Sequence, residues 1–160
     1  MRLIIAAVGR LKDGPERALF QKYRERFEPL ARKLGLAPVT WHELPESRAG
    51  DVAKRREEEG AALLKLARDA EILIALDERG KQLTSEAFAS SLAKARDGGA
   101  KAAAIVIGGA DGLSQGVRDA ARLQVSLGAM TLPHMLVRII LAEQLYRAAT
   151  ILSGHPYHRA

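Results

Sequence analysis

Ile105-Val-Ile-Gly-Gly-Ala-Asp-Gly-Leu-Ser114 is an apolar run that breaks into a glycine-rich turn and then into a helix cap. Residues 128–134, Gly-Ala-Met-Thr-Leu-Pro-His, repeat the pattern: a small-residue loop after a short apolar run, opening a long apolar helix. Small residues let backbone N–H and C=O groups come close to a ligand. A strand–loop–helix unit of this kind belongs to a parallel α/β sheet, whose ligands bind beyond the carboxyl ends of the strands. The stretch predicts a site read by main chain, with an aromatic and basic tail, His155-Pro-Tyr-His-Arg159, placed over it.

Outward from these loops, apolar runs alternate with helical patterns. Strands are expected at Leu3–Val8, Pro38–Glu43, Ile72–Leu76 and Ala103–Ile107, with a short one near Gln124–Ser126. Helices fall between them. The first runs from Pro15, suited to the first helical position, to Leu34, with Gly35 as a stop. Asp51 caps the second, Thr84 or Ser85 the third, and a short fourth follows Ser114. The expected fold is α/β, a mostly parallel sheet with helices on both faces. At 160 residues, the chain (1–160) reads as a single domain.

The last helix, about Pro133 to Ser153, is apolar around most of its circumference, broken by Arg138, Glu143, Gln144 and Arg147. A helix apolar nearly all round is buried on nearly all sides. One sheet covers one side only, so the pattern predicts a second subunit, with a two-fold dimer the default. Glu143 and Arg147 stand in the order that favours a pair on one helix face.

The opening Leu3–Val8 is too short for a signal sequence and lacks a cleavage site, and no run reaches membrane-span length. A cytoplasmic protein without a membrane partner is expected. Absence of cysteine excludes disulfides and thiolate metal sites. The net charge of +6 and pI near 9.9 favour a polyanionic partner, and the first helical segment carries much of the excess; a solvated helix face is the plainer alternative.

Gly108-Gly-Ala-Asp-Gly112 offers a nest of N–H groups with a helix behind it, yet matches neither the dinucleotide fingerprint nor the Walker pattern. It also reads as a turn needed for backbone geometry, with Asp111 as a turn residue. Leu76, Gly108–Gly112 and Gly128–Pro133 are expected to converge on one crevice. His155 and His158 have no acidic neighbour at ligand spacing, so no metal is expected. In the tail, Tyr157 can stack on a base, Arg159 can pair with a phosphate, and the histidines can donate to either; a frayed terminus is the alternative. No nucleophile elbow or Ser-His-Asp order is present.

Several motifs together closely resemble the RlmH family, small bacterial methyltransferases of large-subunit ribosomal RNA. They are Ile107-Gly-Gly-Ala-Asp-Gly-Leu-Ser114, Thr131-Leu-Pro-His134, Leu136-Val-Arg138, Glu143-Gln-Leu-Tyr-Arg-Ala148 and the tail His155–Arg159. Ala7-Val-Gly9, Leu76-Asp77 and Gly80-Lys81 extend the match over the full length. The resemblance implies the SPOUT class: an S-adenosylmethionine-dependent homodimer whose C-terminal end forms a trefoil knot. Periodicity alone gives an unknotted doubly wound sheet. The implied reaction is methylation of N3 of a pseudouridine in helix 69 of 23S ribosomal RNA, on the assembled ribosome.

Carried over by position, the cofactor contacts are Leu76, Gly108, Gly109 and Gly128, Ala129, Met130, Thr131, Leu132, Pro133. The N3 proton needs a modest base or a water relay. His134 or His158 is the expected acceptor, Arg138 the expected partner of a base oxygen or phosphate, and Tyr157, Arg159 and His155 the RNA clamp. A related knotted methyltransferase acting on transfer RNA, a non-catalytic ribosome- or RNA-binding factor, and a generic nucleotide-binding protein are the rival readings.

Overall fold

The structure, a computed structural model, describes residues 1–157. The elements alternate throughout: β1 (Arg2–Val8), α1 (Pro15–Lys33), β2 (Val39–Leu44), α2 (Val52–Ala67), β3 (Ile72–Gln82), α3 (Ser85–Asp97), β4 (Ala102–Ile107), α4 (Gln115–Ala120), β5 (Leu123–Ser126) and α5 (His134–Ser153). Three helices start at side-chain caps. Asp51 accepts from Lys54 N at 2.9 Å, Thr84 from Ala87 N at 3.1 Å, and Ser114 from Val117 N at 3.4 Å. Each satisfies an orphan donor of a first turn.

The five strands are all parallel, in the order β2-β1-β4-β3-β5. β4, Ala-Ala-Ala-Ile-Val-Ile, is buried along its whole length, as a central strand covered on both faces must be. Alternate residues feed two cores. Leu3, Ile5, Ala7, Ile105 and Ile107 meet Phe27, Phe88 and Leu145 of α1, α3 and α5. Ile4, Ala6, Val8, Ala104 and Val106 meet Leu63 of α2 and Val117 of α4.

One strand differs from expectation. β3 does not end at Leu76: Asp77–Gly80 bulges away, and pairing with β5 resumes at Lys81↔Val125 and Gln82↔Ser126. A bulge breaks the alternation that sequence patterning relies on. Gly80 permits it, because a Cβ there would lie 2.6 Å from the backbone N of Val125.

α5 runs back over the sheet between α1 and α3. Its inner face is buried through Arg138, Leu141, Leu145 and Ala149. Leu136, Ile140, Glu143 and Arg147 form a partly exposed stripe on the opposite face. Among the described residues, no helix is long and apolar enough to cross a membrane.

Candidate active site

Leu76 is in register with both Ile107 and Val125, so β3 reaches, just before its bulge, the level at which β4 and β5 end. Two cavities, of about 260 and 120 Å³, flank the segment 125–128 and share Leu76 as a wall. The smaller is bounded by Asp77, Glu78, Met130, Thr131, Leu132 and Val137. The larger extends between α3 and α5 to Ser85, Phe88 and Gln144. Ser126 pins the loop between them: its hydroxyl donates to Gly128 O at 2.9 Å and accepts from Gly128 N at 3.2 Å. Gly128 has φ +138°, a conformation that favours glycine.

The structure thus brings Leu76, Gly128, Met130, Thr131 and Leu132 to one crevice. Pro133 caps α5 just behind it, and Ala129 is exposed. Gly108 and Gly109 are buried at the adjoining end of β4 and line neither cavity. Gly108 folds against Gly112, whose carbonyl carbon would be 2.8 Å from a Cβ at position 108. Gly109 faces the buried Glu59, whose Oε2 would be 2.9 Å from a Cβ there. Asp111 serves the turn: Arg55 Nε donates to its carboxylate at 2.7 Å and Arg56 Nε to its carbonyl at 2.6 Å. The Arg55 hydrogen bond holds the Asp111 carboxyl below its usual range.

The rim of the crevice is fixed by Asp77. Its side chain is 3% exposed, accepts from Arg118 Nε at 2.7 Å and takes the Arg79 N–H at 2.9 Å. Glu78, next in sequence, remains exposed on the smaller cavity. Sequence reasoning missed Asp77, Arg118, Ser126 and Leu127 in these roles. Leu127 was within reach, since it joins the short strand to the Gly128 loop. The Asp77–Arg118 pair spans 41 residues and leaves no local signal.

The expected catalytic side chains lie on the β1–β2 side of the edge. His134, first residue of α5, points Nε2 toward Glu46 Oε1, 3.9 Å away. Arg138, 3% exposed, donates to the Val8 carbonyl and to Glu43 Oε1, the latter at 3.2 Å. Burial pushes the Arg138 pKa down, opposed by Glu43 and Glu46. Gly9 makes room for this group: a Cβ there would be 3.1 Å from Arg138 Nη2 and 3.5 Å from His134 Nε2.

The described part of the tail, through Tyr157, folds onto its own helix. Tyr157 donates to Glu143 Oε1 at 3.2 Å, packs its ring 4.6 Å from Tyr146, and lies under the Arg147 guanidinium at 5.1 Å. Burial, then contact with Tyr23 and Glu143, pushes its phenol up to about 12. His155 is exposed, and its Nδ1 accepts from Tyr157 N at 3.2 Å. His158 and Arg159 lie outside the described residues. Glu143 is nine residues from His134, about 13 Å along an α-helix. Within one chain the structure does not bring Tyr157 to His134.

A parallel sheet with a crevice at its carboxyl edge and a long closing helix matches a known family. The description of predicted SPOUT methyltransferases fits residues 1–158, and the chain belongs to that family. Full-length relatives carry the name Ribosomal RNA large subunit methyltransferase H. One from Xanthobacter autotrophicus is 57% identical and one from Bradyrhizobium sp. strain BTAi1 is 55% identical, each over 160 residues and the whole of both chains. This is the RlmH family that the motifs resemble. Among solved structures, a "probable methylase family protein" from Haemophilus influenzae superposes with a TM-score of 0.55 at 12% identity, covering 99% of this chain and 70% of that one. A "Probable Methyltransferase" from Bordetella pertussis gives 0.50 at 16% identity, covering 92% and 95%. At such identities the likeness is one of fold.

Proposed function

We propose that this chain methylates large-subunit ribosomal RNA with S-adenosylmethionine, at N3 of a pseudouridine in helix 69 of the assembled ribosome. The observation that carries the reading is the crevice shared by Leu76, Gly128 and Leu132 in a chain more than half identical, end to end, to large-subunit ribosomal RNA methyltransferases. The lining suits the cofactor. Leu76, Val125, Leu127 and Val137 offer apolar walls for a purine, and Glu78 and Thr131 offer polar groups at one end. Bound there, S-adenosylmethionine supplies an already activated methyl group. Leu76, Gly128, Met130, Thr131 and Leu132, which line the crevice, would hold it, largely through main chain.

The protein's task is then placement, exclusion of water and removal of one proton. His134, first residue of α5 after the Gly128–Pro133 loop, accepts the N3 proton or passes it to water. Arg138 orients the base or its phosphate from the β1–β2 side.

The active unit is a homodimer with a C-terminal trefoil knot. The partly exposed apolar residues Leu136 and Ile140 support a second subunit on α5. Within one chain Tyr157 rests on Glu143, about 13 Å along α5 from His134, so the tail that closes each crevice comes from the partner subunit. Tyr157, His155, His158 and Arg159 then clamp the nucleotide. Ribosomal shape supplies part of the selectivity.

Tritiated-methyl transfer to ribosomes from a strain lacking the modification, followed by mapping of the labelled base, tests the reading. Label on the expected pseudouridine, and far better transfer to ribosomes than to stripped RNA, is the expected result. Label on transfer RNA would favour the nearest rival. Absence of S-adenosylmethionine binding by calorimetry would favour a non-catalytic RNA-binding factor.

A further inference from the structure

A second cleft, of about 150 Å³, opens between α1 and α5 over the ends of β1 and β2. Its floor is apolar, Ile5, Ala7 and Leu141. One wall is Trp41, which meets Phe20 edge to face at 5.2 Å. Arg17 and Arg24 stand on its rim, with the Arg24 guanidinium 5.9 Å over the Trp41 ring. Arg138 also lines the cleft, and its Nε is buried without a hydrogen-bond partner.

These features act together. An indole face beside cationic side chains is the arrangement that takes a base by stacking and leaves its phosphate at the rim. Arg17 and Arg24 pair with Asp13, Glu43 and Glu28 at present, and Arg17 is 46% and Arg24 37% exposed. Exposed pairs of that kind are weak, so an RNA phosphate can replace the carboxylates.

We propose that this cleft is a second nucleotide site, in which an unpaired RNA base other than the methylated one lodges against Trp41, its phosphate meeting Arg17 and Arg24. The proposal rests on the reading of the chain as an RNA methyltransferase and adds an anchor that holds the RNA while the target base enters the crevice.

Trp41 is the only tryptophan of the chain, so its fluorescence reports on this cleft alone. Titrating the full chain with a short oligouridylate is expected to quench that fluorescence saturably. The Arg17→Ala/Arg24→Ala variant is expected to weaken the response about tenfold. In methyl transfer to ribosomes, Trp41→Ala is expected to raise the KM for RNA about tenfold, the effect of losing one base–aromatic stack. Its kcat and its S-adenosylmethionine affinity stay unchanged, and Trp41→Phe, which keeps the packing on Phe20, restores most of the KM. No quenching by RNA, or an unaltered KM in Trp41→Ala, overturns the proposal. Quenching by an acidic peptide but not by oligouridylate does the same and makes the cleft a protein contact. Absence of methyl transfer by the parent chain would sink the enzymatic reading, while the fluorescence titration would still decide this one.

Discussion

Arg118 Nε lies 2.7 Å from Asp77 Oδ2 and so ties the bulge of β3 to α4 beneath the candidate cofactor crevice. The two side chains are 15% and 3% exposed. Removing one partner of such a pair leaves an uncompensated charge. Arg118→Met is therefore expected to cost about 3–5 kcal/mol in urea denaturation. Adding Asp77→Leu should recover part of that loss, short of all of it, because the Arg79 N–H also loses its acceptor. A full loss in the double variant would show that the pair has no role of its own.

Gly80 tests the bulge. An alanine Cβ would sit 2.6–2.7 Å from the β5 backbone at Gln124 and Val125, where no flexible side-chain end can yield. Gly80→Ala should destabilise by about 3 kcal/mol, the upper end for overpacking. Displacing β5 also moves Ser126 and Gly128, so S-adenosylmethionine affinity by calorimetry should fall with it. Wild-type affinity in a folded variant would separate the bulge from the crevice.

Arg138 has a structural task besides any catalytic one. Its guanidinium satisfies the Val8 carbonyl and Glu43 at the edge of β1 and β2. Arg138→Met should lower stability by about 2–3 kcal/mol, the scale of charged hydrogen bonds left unmade. Thermal unfolding beside single-turnover methylation divides the two roles. Full methylation at a temperature where the variant stays folded would remove Arg138 from the reaction.

Tyr157 gives a pH signature. Its pKa is raised from 10.0 to about 12 where the tail is docked. A group with a raised folded-state pKa contributes stability that is complete below the unfolded value and disappears as pH rises through the folded one. Docking of the tail on Glu143 and Tyr146 should thus hold up to about pH 10 and be lost between about 10 and 12. Of the three tyrosines, the one removed by Tyr157→Phe should titrate last in tyrosinate absorbance. A titration at the ordinary value would mean that the tail is undocked.

Much of this was legible in the chain. Asp51, Thr84 and Ser114 announced three helix starts because a capping oxygen bonds within three residues of itself. The strand ends at Val8, Ile107 and Ser126 fell where apolar runs met small residues. The course of β3 beyond Leu76 was not legible, since Asp-Glu-Arg-Gly carries no strand pattern and pairs again only because β5 is there to receive it.

The sequence by itself determined the order of elements, the parallel α/β class and the loops that meet at one sheet edge, because those follow from periodicity, caps and small residues acting over a few positions. Tertiary structure alone decided which charges pair across 41 or 95 residues, that Arg138 turns into the β1–β2 edge, and that Tyr157 rests on Glu143 rather than over His134. Such contacts depend on where packed elements bring side chains in space, and no local pattern records that distance.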